Sequence, residues 1–228
     1  FTILKKIIPG YDSVKSKTGD LHRFLTMCKN NRLHRYGIIM SHFTEEDKQK
    51  LLSNELMNNL TVFDSYNLLS KWFNKKSIDD IIDITMFVDI HTYLLDDLLV
   101  KTDIASMANS LEARSPFLDT KVMEFAAKLP INFKQSKHII KEILKDELPD
   151  KFLNRTKMGF GMPVSDWLKT ELKDYSRDII FSNEAKKRGY FNYQYIDKIF
   201  ENHIKGKEDN GYRIWNLLCL ELWHKKFI

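Results

Sequence analysis

From Thr44 to the C-terminus the chain repeats one arrangement: a short polar side chain, then apolar residues returning every three or four positions, then a break at proline, glycine or a polar cluster. That spacing is the helical period, and the polar residue ahead of it stands where an N-cap belongs. Thr44 precedes "EEDKQKLL", with acids in the first turn, and Asp64 precedes "SYNLLSKWF". Ser77, with Asp80 three residues on, is placed to open "IDDIIDITMFVDIHTYLL". Asp119 predicts a cap for "TKVMEFAAK", which Pro130 closes, and "SKHIIKEILKDEL" runs to Pro149. "YQYIDKIFENHI" and "YRIWNLLCLELWHKKF" follow the same rule. Strand-like alternation is scarce and no repeat occurs, so the pattern predicts an all-α helical bundle. Trp72, Trp167, Trp215 and Trp223 fall in this periodicity and are expected in the core rather than as a platform for stacking bases.

One helical stretch carries more ions than its apolar content suggests: "DDLLVKTDIASMANSLEARSPFLD", from Asp96 to Asp119. At 100° per residue Val100, Ile104, Met107 and Leu111 form an apolar stripe, beside a second stripe of Lys101, Ala105, Ala108 and Glu112. The third side is Leu99, Asp103, Ser106 and Ser110. Only Lys101 and Asp103 are charged between Leu98 and Leu111, so the helix lacks a broad solvated face and is expected to be packed on most sides. Buried ions cost several kcal/mol unless partnered, so two readings stand side by side. Either the ions pair locally, Asp97 lying four residues before Lys101, or they form the polar wall of a ligand site. Ser115 precedes Pro116, which biases it out of the helix, so Glu112 and Arg114 are expected at the helix end, where Arg114 can satisfy the last carbonyls.

The longest stretch without regular periodicity is "PDKFLNRTKMGFGMP", Pro149 to Pro163. It places Arg155 and Lys157 just before Gly159 and Gly161. Glycines let backbone approach a ligand and the cations suit phosphate, but the segment matches no Walker or dinucleotide pattern. By itself it reads as a solvated basic loop, with Phe160 and Trp167 as core anchors.

Composition narrows the chemistry. With 36 Lys plus Arg against 31 Asp plus Glu, the net charge of +5 is spread along the chain rather than clustered, which argues against nucleic acid as a partner. Cys28 and Cys219 are far apart, and His22, His34, His42, His91, His138, His203 and His224 show no His-Glu-x-x-His spacing. Neither a metal site nor a disulfide framework is expected, and a reducing cytoplasm fits best. No run approaches the ~20 apolar residues of a membrane span. The chain begins at Phe1 rather than Met and reads as the tail of something longer.

Taken together, "LLDDLLVKTDIASMANSLEARSPFLD" and "KHIIKEILKDELPDKFLNRTKMGFGMPVSDWL" resemble the C-terminal half of the synthetase domain of glutamine-dependent asparagine synthetases. The likeness covers roughly Leu94 to Leu168, with both motifs in the family's order and spacing. It implies that residues 1–228 are the helical portion of an α/β, adenine-nucleotide-hydrolase-like (PP-loop) synthetase domain. It implies further a parent enzyme in which a glutaminase domain releases ammonia and the synthetase domain activates aspartate as an adenylate with ATP and Mg²⁺. In that family the Lys of the Arg-x-Lys-x-Gly-Phe segment contacts the ATP phosphates and departing pyrophosphate; this carries over to Lys157, with Arg155 as its companion. Glu112 and Arg114 then organise the site rather than react, and Lys101 and Asp103 stand nearer the substrate.

The family's Ser-Gly-Gly-x-Asp-Ser phosphate loop, its Gly-Glu-Gly-Ala-Asp-Glu segment and its glutaminase cysteine have no counterpart here. The chain alone is therefore expected to supply one wall of an active site, without binding ATP tightly or making asparagine. A related amidotransferase acting on another carboxylate or a sugar, and a helical interaction module without chemistry, are the rival readings. A homodimer is left open.

Overall fold

The computed structural model describes residues 24, 25, 27, 28, 30–60, 64–75, 78–156 and 161–228. In chain order its helices are α1 (Arg32–Met40), α2 (Glu45–Leu51), α3 (Asn54–Asn59), α4 (Asn67–Phe73) and α5 (Ile81–Asp89). A π-helical segment, Ile90–Leu99, leads directly into α6 (Val100–Met107). Then come α7 (Thr120–Lys128), α8 (Ile131–Lys134), α9 (His138–Leu144), α10 (Asp150–Leu153) and α11 (Val164–Trp167). The chain ends in α12 (Lys173–Ile180), α13 (Asn183–Lys187), α14 (Tyr193–Ile204) and α15 (Gly211–Phe227). Extended pairing among the described residues is confined to an isolated bridge between Leu52 and Phe191, so the all-α expectation holds there. No helix among them is long and apolar enough to cross a membrane. The chain divides into two compact units, Phe1–Ser70 with Gly161–Ile228, and Lys71–Phe160.

The first unit is built around Leu51, Val164, Leu168, Ile180, Ile196, Ile199, Phe200, Ile214, Leu217 and Leu218. Thr44 caps α2 as the sequence predicts: its hydroxyl accepts from Asp47 N, and the Asp47 carboxylate accepts from Thr44 N at 3.0 Å. Asp47 is also a long-range joint, accepting from Arg213 Nη2 at 2.9 Å and from the Tyr195 hydroxyl at 3.2 Å. Arg213 Nε meanwhile donates to the His42 carbonyl at 2.9 Å. Ser53 N donates to Tyr190 O and Asn192 N to Leu51 O, fastening α2 and α3 to the segment ahead of α14. Arg188 pairs with Glu221 of α15, a carboxylate that burial would otherwise penalise.

His203 is fully buried and locks α14 to its neighbours: Nδ1 accepts from Asn210 N at 3.2 Å, so Nε2 donates to the Ser165 carbonyl at 2.9 Å. That arrangement requires the neutral ring, and burial holds its pKa below the ordinary 6.5. Burial also lowers the pKa of His42, with the nearby Arg213 charge adding to the effect. In the unfolded chain both histidines take up a proton near 6.5, whereas the folded chain resists until a lower pH. Above 6.5 their contribution is fully present; as pH falls from there towards the folded values it is lost. The thermal midpoint of unfolding is therefore expected to drop on acidification from about pH 7.5 to about pH 5.5. A midpoint that stays level or rises over that window contradicts the neutral assignment.

In the second unit the helix expected to open after Ser77, a residue outside the described ones, begins only at Ile81: Asp80 is its cap rather than its third residue, accepting from Ile82 N at 2.7 Å and Asp83 N at 3.2 Å. The helix then runs unbroken from Ile81 to Met107, changing to π geometry in the middle. At that change His91 Nδ1 meets Phe87 O at 2.8 Å and the Thr92 hydroxyl donates to Val88 O at 2.7 Å. Such side-chain donors satisfy carbonyls that a widened turn leaves short of α-type partners. Lys134, nearly buried, bridges Asp83 at 2.8 Å and Ala127 O at 3.0 Å, tying α8 to α5 and α7.

Three further expectations need correction. Asp64 accepts from Tyr66 N and opens a turn, so α4 begins only at Asn67. The α9 helix covers His138–Leu144 alone, because Ser136 and Lys137 take left-handed backbone at φ 53° and 59° and break the helix ahead of it. Trp223 is 49% exposed, on the outer side of α15. Trp72, Trp167 and Trp215 are partly buried, nearer the core role expected of them.

Candidate functional site

The motif helix is not packed on most sides, contrary to expectation: Val100, Ile104, Met107 and Leu111 are all exposed, Ile104 by 64%. Composition signals that a face seeks cover; it does not say that these 228 residues provide it. With Phe117 and Phe125 also exposed, the second unit carries more open apolar surface than a solvent-facing helix needs.

The ions settle locally. Lys101 Nζ lies 3.8 Å from Asp97 Oδ1, the helical pair that spacing suggests, with both side chains more than half exposed. Such a pair stabilises by only a few tenths of a kcal/mol. Ser106 donates to the backbone carbonyl of Asp103, and the Asp103 carboxylate has no partner among the described residues. The helix ends earlier than Pro116 implies. Ser110 adopts φ 57°, Leu111 N returns to Ser106 O at 3.0 Å and Ser110 N to Met107 O at 2.9 Å, a Schellman closure built on serine instead of glycine. Glu112 and Arg114 thus lie beyond the helix, not at its end. Arg114 Nε donates to Glu112 Oε1 at 2.7 Å rather than to terminal carbonyls, and its side chain is 85% exposed.

Because left-handed backbone strains any residue with a Cβ, Ser110→Gly is expected to raise stability by about 1 kcal/mol. Chemical denaturation checks this, and a loss of stability would mean that the serine side chain has a role the closure does not explain.

Arg155 follows α10 and is exposed, without a partner among the described residues; Lys157 lies outside the described residues. On the C-terminal side of the loop the structure is firm. Val164 and Leu168 are buried, the Ser165 hydroxyl donates to Asp209 Oδ1 at 2.7 Å, and its carbonyl receives His203. Gly211 N also donates to Asp209 Oδ1, at 3.2 Å, so α11 is seated against the start of α15. Both the Ser165 bond and the Gly211 amide hold Asp209 ionised, keeping its pKa below the usual carboxylate value despite burial. Among the described residues no group of three or more His, Cys, Asp or Glu side chains gathers to hold a metal.

No hydrogen bond or ion pair among the described residues joins Lys101 or Asp103 to Glu112, Arg114 or Arg155. Sequence reasoning missed the Ser165–His203–Asp209–Gly211 seat, whose members stand 38 or more positions from Ser165. The sequence signal that bears on it is that His203 continues the helical spacing of Ile196, Ile199 and Phe200.

Against this geometry, comparison with known proteins gives one consistent result. The asparagine synthase family model matches residues 12–225. Asparagine synthetase [glutamine-hydrolyzing] 1 of Bacillus subtilis is 36% identical over 185 residues, 79% of this chain and 28% of that protein. A putative asparagine synthetase [glutamine-hydrolyzing] of Mycobacterium tuberculosis is 34% identical over 147 residues, 62% of this chain and 22% of its own length. The mouse asparagine synthetase [glutamine-hydrolyzing] is 30% identical over 141 residues, 51% of this chain and 24% of the relative. No solved structure matches. The chain belongs to the asparagine synthase family and spans less than a third of the length of these relatives.

Proposed function

We propose that this chain is the C-terminal helical portion of a synthetase domain that converts aspartate to asparagine, with ammonia drawn from glutamine. The observation that carries the reading is the family match over residues 12–225, which includes both motifs. In this reaction the aspartate side-chain carboxylate attacks the α-phosphorus of ATP, forming the β-aspartyl adenylate as pyrophosphate departs. Ammonia then attacks the activated acyl carbon, and AMP leaves. Mg²⁺ accompanies the nucleotide phosphates and neutralises part of their charge. Lys157 holds the phosphates and stabilises negative charge as it builds on the leaving pyrophosphate, with Arg155 beside it. The exposed, unpartnered state of Arg155 suits a phosphate contact. Lys101, Asp103, Glu112 and Arg114 belong to the wall behind the site. The open apolar stripe of α6 is where the nucleotide-binding part of such a domain packs.

A chimera tests the reading. Residues 12–225 replace the matching segment of the Bacillus subtilis relative, and glutamine- and ATP-dependent asparagine formation is measured. The expected outcome is asparagine from the chimera and none from this chain by itself. Robust amidation by the isolated chain contradicts the one-wall reading, and a folded chimera that makes no asparagine contradicts the function.

A further inference from the structure

A glycine lowers stability because its unfolded backbone has more freedom to lose, so a fold keeps one where a side chain would not fit or where the backbone turns left-handed. Four of the five glycines among the described residues meet that test. A Cβ on Gly37 would run into the Tyr66 ring, and one on Gly211 into Ser165. Gly189 and Gly206 take φ 68° and 67°. Gly161 has neither reason: its φ lies outside the left-handed range, and nothing comes within 4 Å of a Cβ built on it. It is exposed, and the folded chain has room for a side chain there.

The backbone that it leaves bare is not slack. Two residues on, Pro163 takes φ −77° and ψ 48°, and Val164 N donates to Met162 O at 2.8 Å, an inverse γ-turn. The Pro163 carbonyl accepts from Asp166 N and Trp167 N, both at 3.0 Å, and Val164 and Leu168 are buried behind the turn. Neither Gly161 N nor Met162 N has an acceptor among the described residues. Amide donors leading into a seated turn, six residues after the exposed guanidinium of Arg155, suit an anionic oxygen rather than an apolar or cationic group. A Cβ at this position would hold such an oxygen away from the backbone.

We propose that Gly161 is a close-approach position for substrate: the phosphate chain of the bound nucleotide lies against its backbone, and the missing side chain is what admits it. This rests on the ATP-dependent reading above and adds to it a residue that acts by having no side chain. The glycine serves the ligand, since the fold of the described residues has no use for it.

Gly161→Ala and Gly161→Val test this in two settings. In this chain alone, Gly161→Ala is expected to leave the thermal midpoint level or raise it by about 1–3 °C, because the fold has room and the unfolded chain loses freedom. In the chimera, ATP affinity is measured by titration calorimetry without aspartate. It is expected to fall by about 10-fold or more with alanine and further with valine, while glutamine hydrolysis is unchanged. ATP affinity indifferent to both substitutions overturns the proposal. So does a lower midpoint in this chain alone. A chimera that keeps its ATP affinity but unfolds at a lower temperature overturns it too, since protein rather than nucleotide would then lie against Gly161. The function itself fails separately: an unsubstituted chimera that folds and does not bind ATP contradicts that reading and takes this proposal with it.

Discussion

Replacing Lys157 by alanine in the chimera is expected to cut aspartate-dependent pyrophosphate release by about 10²–10³-fold, with the fold intact. The reason is differential: a fixed cation meets more negative charge on departing pyrophosphate than on bound ATP, so it stabilises the transition state more than the ground state. The loss should therefore fall mainly on kcat. Lys157→Arg keeps the charge but changes its shape and reach, and is expected to recover only part of the rate. Arg155→Ala, if its guanidinium serves chiefly to bind, should raise the KM for ATP more than it lowers kcat. Steady-state kinetics with a pyrophosphate-coupled readout separates these outcomes. An unchanged rate in Lys157→Ala returns the loop to solvent.

The largest stability effect is expected at Gly211, where α15 begins. A Cβ there would meet the Ser165 Cα at 2.7 Å, a contact with backbone that no side-chain rotation relieves. Gly211→Ala must push α11 away from α15 and with it the Ser165–Asp209 and Ser165–His203 bonds. Overpacking of this kind costs about 3 kcal/mol, lowering the thermal midpoint by roughly 6–12 °C. Because α11 directly follows the Gly161–Pro163 end of the loop, activity of the chimera should fall as well. A midpoint within about 1 °C of the parent would show that α11 shifts freely, and the seat would not be a rigid anchor.

What could be read from sequence divides by range. Thr44 and Asp119 announce their helices because a cap and its amides lie within three residues, whereas Ser77 offered a competing cap three residues ahead of Asp80, the residue that caps α5. The Lys101–Asp97 pair was legible for the same reason. The left-handed Ser110 was not, since serine carries no strong signal for that backbone and glycine is the residue that ordinarily does. The π segment escaped because apolar periodicity is counted at 100° per residue and gives no warning when hydrogen bonds lengthen by one residue. Arg213 joins His42 and Asp47 across more than 160 positions, which no local pattern can show.

At the candidate site the motifs carry the family, whereas their exposure is a property of the folded chain that no motif encodes. An apolar stripe such as Val100, Ile104 and Met107 has the same sequence whether its cover is in this chain or outside it. That is why the helix was expected to be packed and is found open.

The measurement that bears most directly on the central claim is pyrophosphate release by the chimera carrying residues 12–225, compared with and without aspartate. Release that requires both ATP and aspartate is the predicted result and places these residues in an aspartate-activating ligase. Release indifferent to aspartate, or none from a chimera that folds and still hydrolyses glutamine, contradicts it.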